Sequence, residues 1–163
     1  MEATLGTGNR QYVLFHLGTE EYGLPIERVQ SIIRYEAPTP VPHAPAMVEG
    51  VINLRGQVIP VIDLSQRLLG TPHVITALSR IVVAEGDSGL VGLAVDSAHE
   101  VATFPVDAIM PTPVATLTVE TAEAFEGVAN HGERLVILLD PEKALPRVSY
   151  GMPIATEEAQ ADV

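Results

Sequence analysis

The amino-acid sequence predicts an all-β fold, and three observations carry that prediction. Apolar and polar residues alternate over short runs, the period of a half-buried strand. Val, Ile and Leu crowd those runs, while Gly, Pro, Asn and Asp punctuate the gaps. No segment keeps helical periodicity for more than about two turns, which argues against helical bundles and doubly wound α/β folds. Roughly eight to ten strands at this spacing make a β-barrel or β-sandwich.

Taken in order, Gln11–Leu17 places Val13, Phe15 and Leu17 on one face and Tyr12, Leu14 and His16 on the other. Gly18-Thr19-Glu20 turns the chain into a second run that groups Tyr22, Leu24 and Ile26. Glu27–Val29 reads as a helical turn running into an extended piece that reaches Ile33. The prolines at 38, 40, 42 and 45 exclude helix and central strand from Ala37–Pro45, which is therefore an extended loop. Val51–Leu54 and Gln57–Ile62 flank Arg55-Gly56, a hairpin signal. Asp63 is placed to cap a short helix over Leu64–Leu69, which Gly70 ends. A further hairpin joins Ile81–Ala84 to Leu90–Val95, followed by Glu100–Phe104. Leu135–Leu139 is the last strand, and Pro141–Leu145 a closing helical turn after an Asp140 cap. Each half holds a strand pair and then a Pro-rich segment, an echo too loose to count as a repeat. Residues 1–10 and 148–163 read as flexible tails, the second one acidic, around a body at 11–147.

Composition narrows the function. The 163 residues carry 9 Lys+Arg against 21 Asp+Glu, a net charge of −12, with one lysine, Lys143. Neutralising phosphates needs clustered basic residues, so no nucleic-acid partner and no direct contact with an anionic membrane is expected. The 47% hydrophobic content with 18% charged residues is that of a globular chain. Zero cysteines exclude disulfides, thiolate metal sites and cysteine nucleophiles.

Catalytic chemistry finds little support. Gly86-Asp87-Ser88-Gly89 matches the tetrapeptide around the nucleophile of chymotrypsin-like proteases, but Leu90 follows where those enzymes place glycine. No histidine stands in their usual signature, and the loop is the kind of turn that Gly, Asp and Ser favour. A small hydrolase built on Ser88 and a small-ligand β-barrel stand as contrasting readings. The five histidines, His16, His43, His73, His99 and His131, show no ligand spacing; Asp96-x-x-His99-Glu100 alone lacks the three or four ligands of a tight site. No metal, no cofactor and no catalytic residue is therefore expected.

The segment that asks for explanation is Glu49–Leu64. Arg55 stands alone at the tip of a hairpin with almost wholly apolar flanks, so it must reach water or pair with a carboxylate or carbonyl. A charge anchoring an apolar groove is a frequent hot-spot pattern.

Gly50-Val51-Ile52-Asn53-Leu54-Arg55-Gly56, followed by Val58-Ile59-Pro60-Val61-Ile62-Asp63-Leu64, resembles the signature of the CheW-type chemotaxis coupling (adaptor) proteins. Supporting matches are Glu20-Glu21-Tyr22-Gly23-Leu24-Pro25-Ile26, Val29-Gln30-Ser31-Ile32, Leu93-Ala94-Val95-Asp96, Ile109-x-Pro111-x-Pro113 and Leu135-Val136-Ile137-Leu138-Leu139-Asp140, in order over residues 11–146. The resemblance implies an all-β architecture of two intertwined five-stranded SH3-like β-barrels with a few short helices. It also implies a non-enzymatic cytoplasmic scaffold, recruited to membrane-apposed chemoreceptor arrays. Such a scaffold joins the cytoplasmic tip of a methyl-accepting chemoreceptor to the regulatory domain of a chemotaxis histidine kinase.

Carried over position by position, Val29, Gly50, Asn53 and Arg55 would belong to a receptor-binding groove between the barrels, with Ile32 near it. Ile26 and Ile32 are candidates for the kinase interface, expected at the end of one barrel with exposed aliphatic side chains. In that picture Gly50 admits the partner's backbone and Arg55 makes a charge-assisted contact or braces the groove. Two positions depart from the family pattern. Ser31 stands where many relatives carry an acid, and Met110-Pro111-Thr112-Pro113-Val114-Ala115 lacks the Arg and Phe of some relatives' ring contact. These leave open a scaffold for a related chemosensory pathway, controlling pilus motility or cyclic-dinucleotide output.

Overall fold

A computed structural model describes residues 8–87, 89–111 and 124–145. The first hairpin is β1 (Asn9–Leu17) and β2 (Glu20–Pro25), and a 3-10 turn at Ile26–Arg28 leads into β3 (Val29–Arg34). Next come β4 (Val48–Leu54), β5 (Gln57–Asp63), helix α1 (Leu64–Leu69), β6 (Arg80–Gly86), β7 (Gly89–Val95) and β8 (Ser97–Pro105). After a second 3-10 turn at Val106–Ala108 follow β9 (Phe125–His131), β10 (Arg134–Leu139) and helix α2 (Pro141–Ala144).

These strands make two five-stranded sheets, ordered β8-β1-β2-β10-β9 and β3-β6-β7-β5-β4. The second is built from consecutive strands inserted between the two parts of the first, which is how the units intertwine. Both follow one plan. A central hairpin, β1–β2 or β6–β7, joins a second hairpin, β9–β10 or β4–β5, through one parallel pair, β2 with β10 or β7 with β5. The fifth strand, β8 or β3, lies on the far side.

Each sheet also brings its two edges together. Thr39, beyond the end of β3, pairs with Val51 of β4; Met110, beyond the end of β8, pairs with Val128 of β9. Both bridges are double, with Thr39 N–H to Val51 O at 2.8 Å and Val51 N–H to Thr39 O at 2.9 Å, and both Met110–Val128 bonds at 2.8 Å. The bridges satisfy edge groups that would otherwise be open to another chain.

Side-chain alternation then sorts the apolar residues into three cores. Phe15, Leu17, Tyr22 and Leu24 of one sheet meet Ile62, Val82, Leu93 and Val95 of the other in a shared core. The opposite face of β1 sends Tyr12 and Leu14 into a core with Phe104, Val136 and Leu138. The opposite faces of β5 and β6 send Ile59, Val61, Ile81 and Val83 into a third. Strands buried on both faces explain why these runs read as nearly continuous hydrophobics.

Local chemistry sets the ends of the elements. The Asp63 carboxylate accepts from Gln66 N–H at 3.1 Å, and Gly70 ends α1 in the left-handed conformation at φ +78°, both as expected. Asp140 caps α2 in the same way, accepting from Glu142 N–H at 2.9 Å. Arg67 of α1 donates to the Ala144 and Lys143 carbonyls at 2.6 and 3.2 Å, tying the two helices together.

The structure extends some expectations. β1 begins at Asn9, inside the segment read as a tail, because Asn9 and Arg10 find ladder partners in Pro105 and Phe104. β9 has no counterpart in the sequence reading. Residues 1–7, Ser88, the Thr112–Ala115 part of the Pro-containing loop, and 146–163 lie outside the described residues.

Candidate docking hairpin and the closure beneath it

The β4–β5 hairpin pairs Leu54 with Gln57, leaving Arg55-Gly56 as a two-residue loop. Arg55 has φ +54° and Gly56 φ +84°, so both central residues are left-handed, as in a type I′ turn. The Asn53 side-chain oxygen accepts from Gly56 N–H at 2.9 Å and locks the turn. Such a turn prefers Asn or Gly at its first central position. An L-residue with a Cβ there costs about 1 kcal/mol. Arg55 is exposed and, among the described residues, makes no hydrogen bond or ion pair that would repay this.

Behind the hairpin lies Gly50, buried, with φ +149°. A Cβ on it would stand 2.1 Å from the Thr39 carbonyl oxygen and 3.1 Å from Pro38 Cβ. The backbone that packs against Gly50 is that of the chain's own Pro-rich segment, which closes the sheet. Between this segment and β4 sits an open depression of about 410 Å³, bordered by Glu36, Thr39, Ile52, Asn53 and Val58.

Glu49, next to Gly50, anchors the closure. Tyr35 donates its hydroxyl to Glu49 Oε1 at 2.6 Å, and the buried ring of His73 bonds Glu49 Oε2. Burial pushes the Glu49 carboxyl up, but the hydrogen bonds from His73 and Tyr35 outweigh it and hold the group below its usual 4.5. The same hydrogen bond raises His73 above 6.5 against the opposing effect of burial.

The other sheet repeats the device. Gly127 is buried, and a Cβ there would stand 2.5 Å from the Met110 carbonyl oxygen. Tyr12 donates its hydroxyl to Glu126 Oε1 at 2.7 Å, as Tyr35 does to Glu49. Glu49-Gly50-Val51 and Glu126-Gly127-Val128 are the same tripeptide, and each precedes the aspartate that caps a helix, Asp63 or Asp140. That recurrence was the available signal for the duplication, and sequence reasoning missed it.

Val29 starts β3, half-buried against the shared core opposite Ala84 of β6. Ile32 lies further along β3 and is 42% exposed. Both belong to one edge of the sheet, whereas Gly50 and Asn53 lie on β4 at the other and Arg55 follows them. Gly50, Asn53 and Arg55 thus share one hairpin, while Val29 and Ile32 belong to a separate strand. Ile26 sits in the 3-10 turn and borders another depression, with Arg10, Tyr12 and Glu27. Ser31, at the departure from the family pattern, pairs with Val83. Among the described residues no helix is long and apolar enough to cross a membrane.

A family model described as the CheW-like domain matches residues 11–149. The chain is 37% identical over 142 residues to a chemotaxis protein CheW of Rhizobium meliloti, covering 87% of this chain and 91% of that one. It is 34% identical over 139 residues to the chemotaxis protein CheW of Klebsiella aerogenes, covering 85% and 83%. A solved structure, the scaffolding protein TtCheW from Thermoanaerobacter tengcongensis, is similar with a TM-score of 0.76 at 32% identity, covering 88% of this chain and 92% of that one.

Proposed function

The chain belongs to the CheW-like family, and on that premise we propose that it joins the cytoplasmic tip of a methyl-accepting chemoreceptor to the regulatory domain of a chemotaxis histidine kinase. The role is non-catalytic and cytoplasmic, exerted at the membrane-apposed receptor array. The observation that carries it is Arg55, a cation kept at a conformational cost, unpaired within the described chain, on a hairpin locked by Asn53. Strain that the fold does not need points to a partner that uses it.

In this reading a helical receptor tip lies along the hairpin, its apolar stripe against Val58 and the depression beside Asn53, with Arg55 bonding a carboxylate or carbonyl at the rim. Gly50 serves by letting Thr39 close the sheet beneath the docking face. Val29 packs against the shared core on the strand at the other edge of the sheet, and Ile26 and Ile32 offer aliphatic surface to the kinase. Holding both partners in one geometry lets receptor conformation bias kinase activity.

The test is co-sedimentation of purified receptor cytoplasmic fragment, kinase and this chain. The chain is expected to bring kinase down with the receptor fragment, and Arg55→Asn to reduce that fraction. Kinase sedimentation independent of the chain would overturn the proposal.

A further inference from the structure

Three of the five histidines gather on the first sheet, and two of them meet a buried carboxylate. His16 of β1, Glu21 of β2 and His99 of β8 each offer one ligating atom within 4.8 Å of the other two. The His16 and His99 rings are stacked, with centroids 4.5 Å apart and planes at 20°. His99 Nε2 lies 2.6 Å from Glu21 Oε2.

The Glu21 side chain is only 4% exposed, and its Oε1 is buried without a hydrogen-bond partner among the described residues. An orphaned buried carboxylate oxygen is costly and attracts a cation. His16 Nδ1 lies 3.1 Å from Ser97 Oγ, a contact that orients the ring and leaves Nε2 as the ligating atom. Glu100 Oε1 lies 3.6 Å from His99 Nε2, while Glu100 Oε2 bonds His131 Nε2 at 2.8 Å, so Glu100 would have to turn from His131 to serve as a fourth donor. An open depression of about 340 Å³, bordered by His16, Glu21 and Arg134, gives access.

We propose that His16, Glu21 and His99 form a site for a divalent transition ion of the zinc class, completed by Glu100 or water. Two imidazoles and a carboxylate suit zinc, whereas Mg²⁺ and Ca²⁺ prefer all-oxygen sets. Ligand atoms around tetrahedral zinc stand about 3.3 Å apart, given bonds of about 2.0–2.1 Å, so modest side-chain rotations close the triad. Arg134 is the competitor, with its guanidinium 3.4 Å from Glu21 Oε2 and 3.6 Å from Glu100 Oε1. Half-exposed, it can swing into solvent when the ion enters. The bound ion would pin edge strand β8 to β1 and β2.

The second grouping of this kind, Glu49, Asp63 and His73, is a useful contrast. Its carboxylate oxygens are already spent on the Tyr35 hydroxyl, the His73 ring, Gln66 N–H and His73 N–H. There the buried atom without a hydrogen-bond partner among the described residues is His73 Nδ1, not a carboxylate oxygen.

The experiment is calorimetric titration of ZnCl₂ into the metal-free 163-residue chain, alongside NMR of the histidine imidazoles in the unmutated protein. One equivalent is expected to bind and to shift the His16 and His99 resonances while leaving His43 in place. His16→Gln and His99→Gln should each weaken binding at least about tenfold, as loss of a ligand demands. Arg134→Ala should tighten it, and MgCl₂ should give no binding. Resonances of His16 and His99 unmoved by zinc, or a zinc affinity unchanged in both glutamine variants, would overturn the site. This inference is independent of receptor binding and stands or falls separately.

Discussion

Thr39 lies directly over Gly50, so that a Cβ on the glycine would stand 2.1 Å from the Thr39 carbonyl oxygen. Backbone pressed on backbone cannot yield as a flexible side chain can, and φ +149° is itself a region that side chains avoid. Gly50→Ala is therefore expected to destabilise the protein by at least about 3 kcal/mol, lowering Tm by about 10 °C. Gly127→Ala, facing Met110 O at 2.5 Å, should act in the same direction. Gly56→Ala, with nothing within 4 Å, should cost only about 1 kcal/mol for its positive φ. Thermal melts of the three variants check this ordering. Loss of receptor binding in any Gly50 variant would then report on the closure and not on a lost contact.

The duplicated tyrosine–glutamate bonds make a paired prediction. Tyr35→Phe and Tyr12→Phe each remove a hydroxyl donor from a partly buried carboxylate, Glu49 or Glu126. Each is expected to cost about 1–2 kcal/mol, measured by urea unfolding. The hydroxyls themselves stay protonated throughout, because burial and the carboxylate partner push both tyrosines well above 10.

His73 and Glu49 give stability a pH dependence of defined sign. The His73 pKa is raised in the folded state, so its contribution is complete below 6.5 and is lost as pH rises through the folded value. Glu49 is lowered, so its contribution is present above 4.5 and is lost as pH falls through its folded value. The pair stabilises most between about pH 4.5 and 6.5. Denaturant unfolding of wild type and His73→Gln should show the largest difference at pH 6 and a smaller one at pH 9.

Much of this architecture was legible in the sequence because local and tertiary signals agree there. Asp63 and Gly70 bracket α1 as read, and Arg55-Gly56 forms the expected loop. β9 was not legible. Phe125-Glu126-Gly127-Val128-Ala129-Asn130-His131 is poor in β-branched residues, and its extended form comes from pairing with β10 and Met110. The role of Gly50 was half legible. A glycine marks a close approach, but only the fold shows that the approaching chain is Thr39. His99 was visible as an incomplete ligand set, but its meeting with His16 and Glu21 was not, since a ladder between β1 and β8 brings together residues far apart in sequence.

The central claim is that Arg55 is kept for a partner at the expense of the turn that carries it. Arg55→Asn restores a side chain that left-handed turns prefer, so it should leave Tm unchanged or raise stability by up to about 1 kcal/mol. The same variant should weaken binding to a receptor cytoplasmic fragment at least about tenfold, a loss of about 1.4 kcal/mol. Titration calorimetry of wild type and Arg55→Asn, with a melt of each, measures both. A more stable protein that binds less is the result the account predicts; equal binding by a fully folded variant would contradict it.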